Sequence, residues 1–371
     1  MKRYQLFLIL AIFSIPLFAT SVFCQSLSIP SLRIYRKGDS SLYIPLQYLD
    51  SIVHYNIVSP TVITGSPQSV TRNSAYFSAK VNVGGGTVTK TGFCWSTVEE
   101  PTINSTFKYS GDFNGVNFTC ELLGLLKNTK YYVRAFAINE SGFSYGNQVD
   151  FITVNSSDVI VIDGDEYNTV TLGEKCGYGQ LVLQENLKVS KYANGDTIRY
   201  VRNQEEMLDA TNKLEGAYCY YNFDPSFDSV YGKLYNIYAL RESRGLAPLG
   251  WKIPGFMDMP VVLYECGGAA KSIGTIETKD GLWKEPNVGA TNDSGFNGHP
   301  GGLVVGNEFK FLGEIGFWWI VDRNWDKQDF YALTHISNSF EWRMGSNYLN
   351  NYYGLDYQLV SFASVRCVKN P

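Results

Sequence analysis

The chain has 371 residues, of which 44% are hydrophobic and 18% charged, and its formal net charge is −4. This composition indicates a globular protein rather than a disordered one, and the length accommodates two or three domains. Removing Lys2 and Arg3 with an N-terminal leader leaves a charge of −6 and no basic run, which argues against a nucleic-acid or anionic-membrane partner.

The first 24 residues predict a signal peptide. Lys2 and Arg3 precede an apolar run over residues 6–18, which is too short to span a bilayer comfortably and passes into small residues. We expect cleavage near Cys24 and export to the cell surface, the medium or the periplasm. A lipid anchor at Cys24 is the less favoured alternative, because Phe23 is bulky where such motifs have a small residue. No later stretch predicts a transmembrane helix.

Six cysteines follow the predicted cleavage site, and an even number in an exported protein favours disulfides. None of them has CxxC spacing, and with only three histidines in the chain we expect no zinc site. The six are Cys94, Cys120, Cys176, Cys219, Cys266 and Cys367.

A β pattern begins near residue 59, after a lead-in segment at 25–58 that has no clear periodicity. In NSAYFSAKVNVGGG apolar and polar residues alternate, which predicts a half-buried strand ending in a glycine turn. TKTGFCWST predicts another strand, and FTCELLGLLKNTKYYVRAFAIN predicts two more around a turn at 127–129. On the last of these, one face is shared by Tyr131, Val133, Ala135 and Ala137. Short strands at this spacing indicate a β-sandwich.

Residues 59–154 resemble a fibronectin type III domain, mainly through GFCWST and LLKNTKYYVRAFAINESG. Leu125, six residues before Tyr131, matches the tyrosine corner of that family, in which the phenol caps a backbone turn. Two interpretations stay open for Cys94 and Cys120, which the general fold does not require: a local disulfide, or two buried free thiols. We interpret this sandwich as a spacer.

The polar linker NSS at 155–157 is followed by a region that predicts an α+β domain with short strands and long loops. In NQEEMLDA, Asn203 and Glu206 form a capping box that begins a helix. GKLYNIYALRESRG predicts a second helix, which Gly245 ends. A third, weaker helix pattern begins near Asp258.

Nine motifs in this region resemble the Fibrobacter succinogenes major paralogous domain, which is widespread in exported proteins of the Bacteroidetes and Fibrobacter groups. They occur in the order ENLKV, NGDTI, GAYCYYN, YGKLYNIYA, GLAPLGWKIP, a Gly-Gly pair, GATNDSGFNGHPGG, GFWW and SVRCVKN. The match covers about 160–371, and we place the domain at 155–371. The family is similar to C-type-lectin-like and sulfatase-modifying folds, in which the first and last strands pair, so the resemblance implies a C-type-lectin-like α+β architecture.

The resemblance also implies a disulfide between Cys219 and Cys367, because members commonly have the cysteines of both GAYC and SVRC. Such a bond closes a loop of about 150 residues, worth roughly 5 kcal/mol in the chain-entropy model. Cys176 and Cys266 occupy positions where relatives usually have no cysteine, which suggests a second pair. The chain departs from the family pattern at LVLQENL and at GFMDMP, each of which lacks a usual tryptophan.

No catalytic constellation follows from the sequence, and we expect neither an enzyme nor a cofactor. His299 lies near Asp293 and Ser294, but no nucleophile-elbow motif accompanies it, so we interpret it as a loop histidine. EPN at 285–287 matches the sugar- and calcium-binding tripeptide of C-type lectins, although the partner motif Trp-Asn-Asp is absent. Weak calcium candidates are Glu285, Asn287, Asn292 and Asp293.

Aromatic residues crowd positions 317–353 among Asn, Asp and Arg. Trp318 and Trp319 are adjacent in a predicted strand, so we expect one to point into the core and the other outward. Rings with polar neighbours suit both sugar stacking and protein-binding hot spots. The candidate ligand-binding residues are Trp318, Trp319, Trp325, Trp342, Tyr352 and Tyr353.

The sequence therefore predicts an exported, non-catalytic binding or adhesion protein that recognises a glycan or a surface protein through its C-terminal domain. One alternative is an enzyme related to the sulfatase-modifying fold, which would require reactive thiols. The other is a purely structural cell-surface protein. The oligomeric state is left open.

Overall fold

The structure is a computed structural model that describes residues 57–173, 179–255, 258, 280–285, 287, 290–321 and 360–370, and the backbone of four further strands. The first ten strands are β1 (Ser31–Ile34), β2 (Leu42–Pro45), β3 (Thr61–Thr64), β4 (Ser74–Asn82), β5 (Lys90–Ser96), β6 (Thr106–Tyr109), β7 (Asn117–Leu123), β8 (Lys130–Asn139), β9 (Gly142–Tyr145) and β10 (Val149–Ile152). The next seven are β11 (Val159–Ile162), β12 (Asp165–Leu172), β13 (Gln180–Leu183), β14 (Arg199–Tyr200), β15 (Ala217–Cys219), β16 (Leu234–Asn236) and β17 (Trp251–Lys252). The last seven are β18 (Leu303–Val305), β19 (Glu308–Lys310), β20 (Ile315–Ile320), β21 (Asp329–Thr334), β22 (Glu341–Met344), β23 (Val360–Ala363) and β24 (Val368–Lys369).

Strands β3 to β10 form the predicted β-sandwich. One sheet has the order β3-β4-β7, and the other has the order β10-β8-β5-β6 with β9 also paired to β8. Alternate side chains of both sheets fill a single core, which confirms the alternation patterns of β4 and β8. The four β8 residues that were predicted to share one face all lie in this core: Tyr131, Val133, Ala135 and Ala137.

The predicted tyrosine corner is present at Tyr131. Its phenol oxygen accepts a hydrogen bond from the backbone N–H of Leu126 at 3.0 Å, beside the buried Leu125. The ring stacks on Phe151, with centroids 5.8 Å apart. The phenol therefore ties the connection between β7 and β8 to the core of the sandwich.

The described residues of the C-terminal region form mostly β-sheet with three short α-helices. Its main sheets have the orders β11-β12-β13-β24-β17 and β14-β15-β16-β23-β18-β19, and β20, β21 and β22 form a third. The terminal strand β24 pairs with β13 through Val182 and Val368. The resemblance implied pairing of the first and last strands of the domain, but the first strand of residues 155–371, β11, pairs with β12. Strand pairing therefore holds the tail of the chain in place.

Among the residues that the structure describes, the α-helices are α1 (Gln204–Asn212), α2 (Asp228–Tyr231) and α3 (Ile237–Arg241). The predicted cap of α1 is confirmed: Asn203 Oδ1 accepts from the N–H of Glu206 at 2.9 Å, and the Glu206 carboxylate accepts from the N–H of Arg202 at 2.8 Å. Within the described part of the chain, no helix is long and apolar enough to cross a membrane.

The second predicted helix is shorter than its pattern indicates. Leu234–Asn236 are buried in β16, between β15 and β23, and α3 begins only where the Asn236 side chain accepts from the N–H of Ala239 at 2.9 Å. Pairing on both edges of β16 outweighs the helical spacing of the apolar residues, a tertiary effect that local propensity does not contain. The predicted helix near Asp258 falls on residues 259–279, outside the described residues.

The predicted Cys219–Cys367 disulfide is wrong, because both residues are buried free thiols. Cys219 packs on one face of the sheet formed by β15, β16 and β23, in a small core that includes Leu234 and Phe362. Cys367 belongs to the larger core, which contains Tyr218, Tyr235 and Ala363 from the other face of that sheet. The sheet itself therefore separates the two thiols.

Cys94 and Cys120 are also buried free thiols. Of the two interpretations left open for them, the local disulfide is wrong and the pair of buried free thiols is confirmed. Cys120 belongs to the sandwich core, as do Phe93 and Trp95, the two neighbours of Cys94. Since side chains alternate along β5, Cys94 points to the opposite face, where its Sγ is 3.3 Å from Pro101 O. The possible partners Cys176 and Cys266 lie outside the described residues.

Candidate functional site

The predicted aromatic platform is not formed by Trp318 and Trp319, because both are buried, with 2% and 0% of their surface exposed. The indole N–H of Trp318 donates to Asn186 Oδ1 at 2.7 Å, and that of Trp319 donates to Tyr235 O at 2.7 Å. All six residues of β20 are buried, so both faces of this strand are covered and neither ring points outward. The side chain of Trp342, and the residues Trp325, Tyr352 and Tyr353, are outside the described part.

Arg366 joins several of the family motifs in one buried hub. Its guanidinium donates to Asn186 Oδ1 at 3.1 and 2.7 Å, to Phe296 O at 2.5 Å, to Asn297 O at 3.1 Å and to Leu183 O at 3.4 Å. It also lies 4.4 Å from the centroid of the Phe296 ring. Burial lowers the pKa of Arg366 to about 9. These core-forming contacts therefore join residues of four motifs, which are ENLKV, GATNDSGFNGHPGG, GFWW and SVRCVKN.

His299 ties the loop around it to α2. Its Nδ1 is 2.9 Å from Val230 O, and its Nε2 is 3.4 Å from Asp280 Oδ2. Burial is the main cause that lowers the pKa of His299. These contacts agree with its interpretation as a loop histidine.

The four calcium candidates make local contacts within their loops. Asn292 Oδ1 accepts from the N–H of Asn297 at 3.0 Å, and the Glu285 carboxylate accepts from the N–H of Asn287 at 3.3 Å. Over the described residues, no group of three or more His, Cys, Asp and Glu side chains is placed to hold a metal ion.

A cleft of about 330 Å³ lies between the sandwich and the C-terminal region. One wall is formed by residues 63–68 and 78–80 of the sandwich, and the other by residues 191–195 with side chains from β11 and the loop before β17. This volume lies at the lower end of the range for small-molecule sites. Sequence reasoning missed the cleft because its walls are distant in the chain and one belongs to the sandwich interpreted as a spacer.

Direct contacts hold the two walls together. Val70 and Val161 exchange both backbone hydrogen bonds, at 2.8 and 2.9 Å. Gln68 Nε2 donates to Ala193 O at 2.9 Å, and Ser69 Oγ donates to Leu249 O at 2.6 Å. The cleft is therefore formed by fixed backbone segments before any ligand arrives.

The motif NGDTI shapes the C-terminal wall as a tight hairpin. Tyr192 N–H donates to Asp196 O at 2.8 Å, and Gly195 N–H donates to Tyr192 O at 2.8 Å. Gly195 has φ 88°, which suits glycine at the turn. The guanidinium of Arg244 lies 4.2 Å from the centroid of the Tyr192 ring and stiffens the base of the hairpin.

The charges at the cleft are paired. Lys80 Nζ lies 2.5 Å from Asp196 Oδ1, and Lys191 Nζ lies 3.0 Å from Asp163 Oδ1. The hydrogen bond from Lys80 is the main cause that lowers the pKa of Asp196. The lining also has apolar members, which include Ile63, Ala79, Ile162, Val189, Leu246 and Pro248. The cleft thus combines an apolar surface with balanced polar groups.

The family model described as the Fibrobacter succinogenes major domain matches residues 178–369, slightly more than half of the chain. No curated protein matches the chain. Among solved structures, the sensor domain of the anti-sigma factor RsgI4 of Pseudobacteroides cellulosolvens is 14% identical, covering 27% of this chain and 100% of its own, with a TM-score of 0.22. The 6th fibronectin type III domain of human fibronectin type III domain containing protein 3 is 24% identical, covering 25% and 85%, with a TM-score of 0.19.

Proposed function

The chain belongs to the Fibrobacter succinogenes major domain family, and we propose that it is an exported, non-catalytic protein that binds a neutral sugar unit of a glycan. The observation that carries the proposal is the preformed cleft of about 330 Å³ between the sandwich and the C-terminal region. In this proposal the sandwich is half of the binding site rather than a spacer. The C-terminal part, residues 155–371, is a C-type-lectin-like domain, for which the pairing of β13 with β24 is the support.

The chemistry of the cleft favours a neutral ligand. Lys80 and Lys191 already have carboxylate partners, so neither offers an uncompensated charge to an ionic ligand. A sugar ring has an apolar face and a rim of hydroxyl groups. The apolar lining of the cleft suits the apolar face of the sugar. The polar side chains of Ser66 and Asn194, with those of the ion-paired Lys80 and Lys191, suit its hydroxyl groups.

The state of the thiols supports a non-catalytic role over the alternative of cysteine chemistry. Burial raises the pKa of Cys367 to about 12 and that of Cys94 and Cys120 to about 11, and it raises the pKa of Cys219 well above its ordinary value. Since the thiolate is the reactive form, these four groups are poor nucleophiles at neutral pH.

The test is a glycan-array screen of the chain from Gln25 onward, followed by calorimetry with the neutral oligosaccharide that binds. Ser66 is exposed and lines the cleft, so Ser66→Trp should fill it and weaken binding by about tenfold or more. Ser229→Trp, at an exposed serine in α2, is the matched control and should bind as the wild type does. Both variants should unfold at the wild-type temperature.

Two results would overturn the proposal. Wild-type affinity in Ser66→Trp would mean that the glycan binds elsewhere on the chain. An array on which no neutral glycan binds the wild-type protein would exclude the ligand class.

A further inference from the structure

The outer face of the sheet that contains β5 and β8 carries a cluster of aromatic side chains. Strand register aligns Tyr109, Gly92, Phe136 and Tyr145 in one row across β6, β5, β8 and β9. Since register partners point to the same face, these rings lie opposite the sandwich core, which Phe93 fills from the inner face of β5.

Phe136 lies at the centre of this cluster and is fully buried, although it is on the outer face. Ring centroids of Phe107, Tyr109 and Phe143 lie 6.3, 5.8 and 5.4 Å from its own. Gly92 makes room for it, because a Cβ there would lie 2.6 Å from Phe136 Cζ. The covering rings remain open to solvent: Phe107 is 40% exposed and Tyr109 is 47% exposed.

The C-terminal region packs on the opposite side of the sandwich. Its contacts run to the outer face of β4, where Lys80 pairs with Asp196 and the ammonium of Lys369 lies 5.4 Å from the centroid of the Tyr76 ring. The aromatic cluster is therefore separated from the cleft contacts of β4 by the thickness of the sandwich, about 10 Å between sheets.

Two cations lie on the rings of this face. Lys90 Nζ is 4.9 Å from the centroid of Tyr109, and Arg134 Cζ is 4.6 Å from the centroid of Tyr145. On the same sheet Lys130 pairs with Asp150 at 3.1 Å, whereas no ion pair of the described residues involves Lys90 or Arg134. In a chain of net charge −4, this is a local basic and aromatic surface.

We propose that this aromatic face, defined by Phe107, Tyr109, Phe143, Lys90 and Arg134, binds an acidic polysaccharide. The exposed rings offer flat apolar surface to the sugar rings, and the cations attract the carboxylate groups along the chain. The uncompensated positive charge on an acidic protein is what selects an anionic ligand over a neutral one. This site is independent of the cleft, whose charges are paired.

The experiment is affinity electrophoresis of the full chain through gels that contain polygalacturonate or a neutral glucan. The wild-type protein should be retarded by polygalacturonate alone, and the retardation should weaken as salt rises. The double variant Phe107→Ala/Tyr109→Ala and the single variant Lys90→Glu should each lose about tenfold or more in affinity. Leu123→Ala and Lys127→Glu, at exposed positions outside the face, are the matched controls.

Ser66→Trp, which fills the cleft, should bind polygalacturonate as the wild type does. The proposal for the cleft and the proposal for the aromatic face can therefore fail independently of each other. The inference is overturned if the face variants bind like the wild type, or if the wild type is retarded equally by the neutral glucan. It is also overturned if polygalacturonate does not retard the wild type at all. That result would hold equally if the aromatic face binds a protein rather than a polysaccharide.

Discussion

Replacing Arg366 by methionine should lower the free energy of unfolding by about 2–4 kcal/mol. Methionine fills a similar volume, so the change removes the guanidinium while leaving no large cavity. It leaves three backbone carbonyls of the hub without this donor, those of Leu183, Phe296 and Asn297. Asn186 Oδ1 keeps the hydrogen bond from Trp318 Nε1 and is the least affected acceptor.

The magnitude follows from two opposing effects. A buried acceptor left without a partner costs about 1–3 kcal/mol, and the bond of Leu183 at 3.4 Å is the weakest of the three, so the gross loss is about 3–6 kcal/mol. Removing a buried cation also removes its desolvation cost, which is large enough to shift the pKa of Arg366 downward. An offset of about 1–2 kcal/mol leaves a net loss of about 2–4 kcal/mol.

The assay is urea unfolding at neutral pH, with the midpoint compared at equal slope so that the change reports stability. Arg202→Met is the control, because Arg202 is 64% exposed and its ion pair with Glu206 is a surface pair worth less than about 1 kcal/mol. If Arg366→Met proved as stable as the wild type or more stable, the hydrogen bonds of the hub would not outweigh the burial of the charge, and the reasoning would be refuted.

Three further predictions concern other parts of the chain. Tyr131→Phe should cost about 1 kcal/mol of stability in thermal unfolding, because it removes the acceptor for the Leu126 N–H, and an unchanged stability would contradict the tyrosine corner. Peptide mapping under non-reducing conditions should find no bond between Cys219 and Cys367, and both thiols should resist alkylation in the native protein because burial raises their pKa values. The lowered pKa of Asp196 means that its stabilising effect is present above about pH 4, the ordinary range of the group, and is lost as pH falls through the folded-state pKa. The stability difference between the wild type and Asp196→Asn should accordingly shrink in acid; a difference that grew in acid would contradict the sign.

The sandwich could be predicted because its strands are half-buried. In β4 the residues Ala75, Phe77 and Ala79 are buried while Tyr76 is partly exposed, so the sequence alternates with the period of the strand. The spacing of Leu125 and Tyr131 added a second, independent signal, since the phenol must reach back to a fixed point of the turn. Local pattern and tertiary contact agree in this part of the chain.

The tryptophan pair could not be placed by alternation alone. Alternation assigns Trp318 and Trp319 to opposite faces, but it leaves open whether either face reaches solvent. The whole strand Ile315–Ile320 is apolar, and a continuous apolar run is the signal of a strand buried on both faces. That signal was present in GFWW and outweighs the expectation of an outward ring.

The docking of the sandwich on the C-terminal region could not be predicted because it depends on a few contacts between residues that are distant in the chain. Val70 and Val161 exchange hydrogen bonds across a polar linker of three residues, and no hydrophobic period marks such a bridge. The consequence is functional: a ligand held by both walls of the cleft binds only when this docking is intact. Ligand binding should therefore stabilise the docked arrangement by RT ln(1 + L/Kd), where L is the free ligand concentration, so the stabilisation should rise with the logarithm of ligand concentration above the dissociation constant. The sandwich is then a working half of the site.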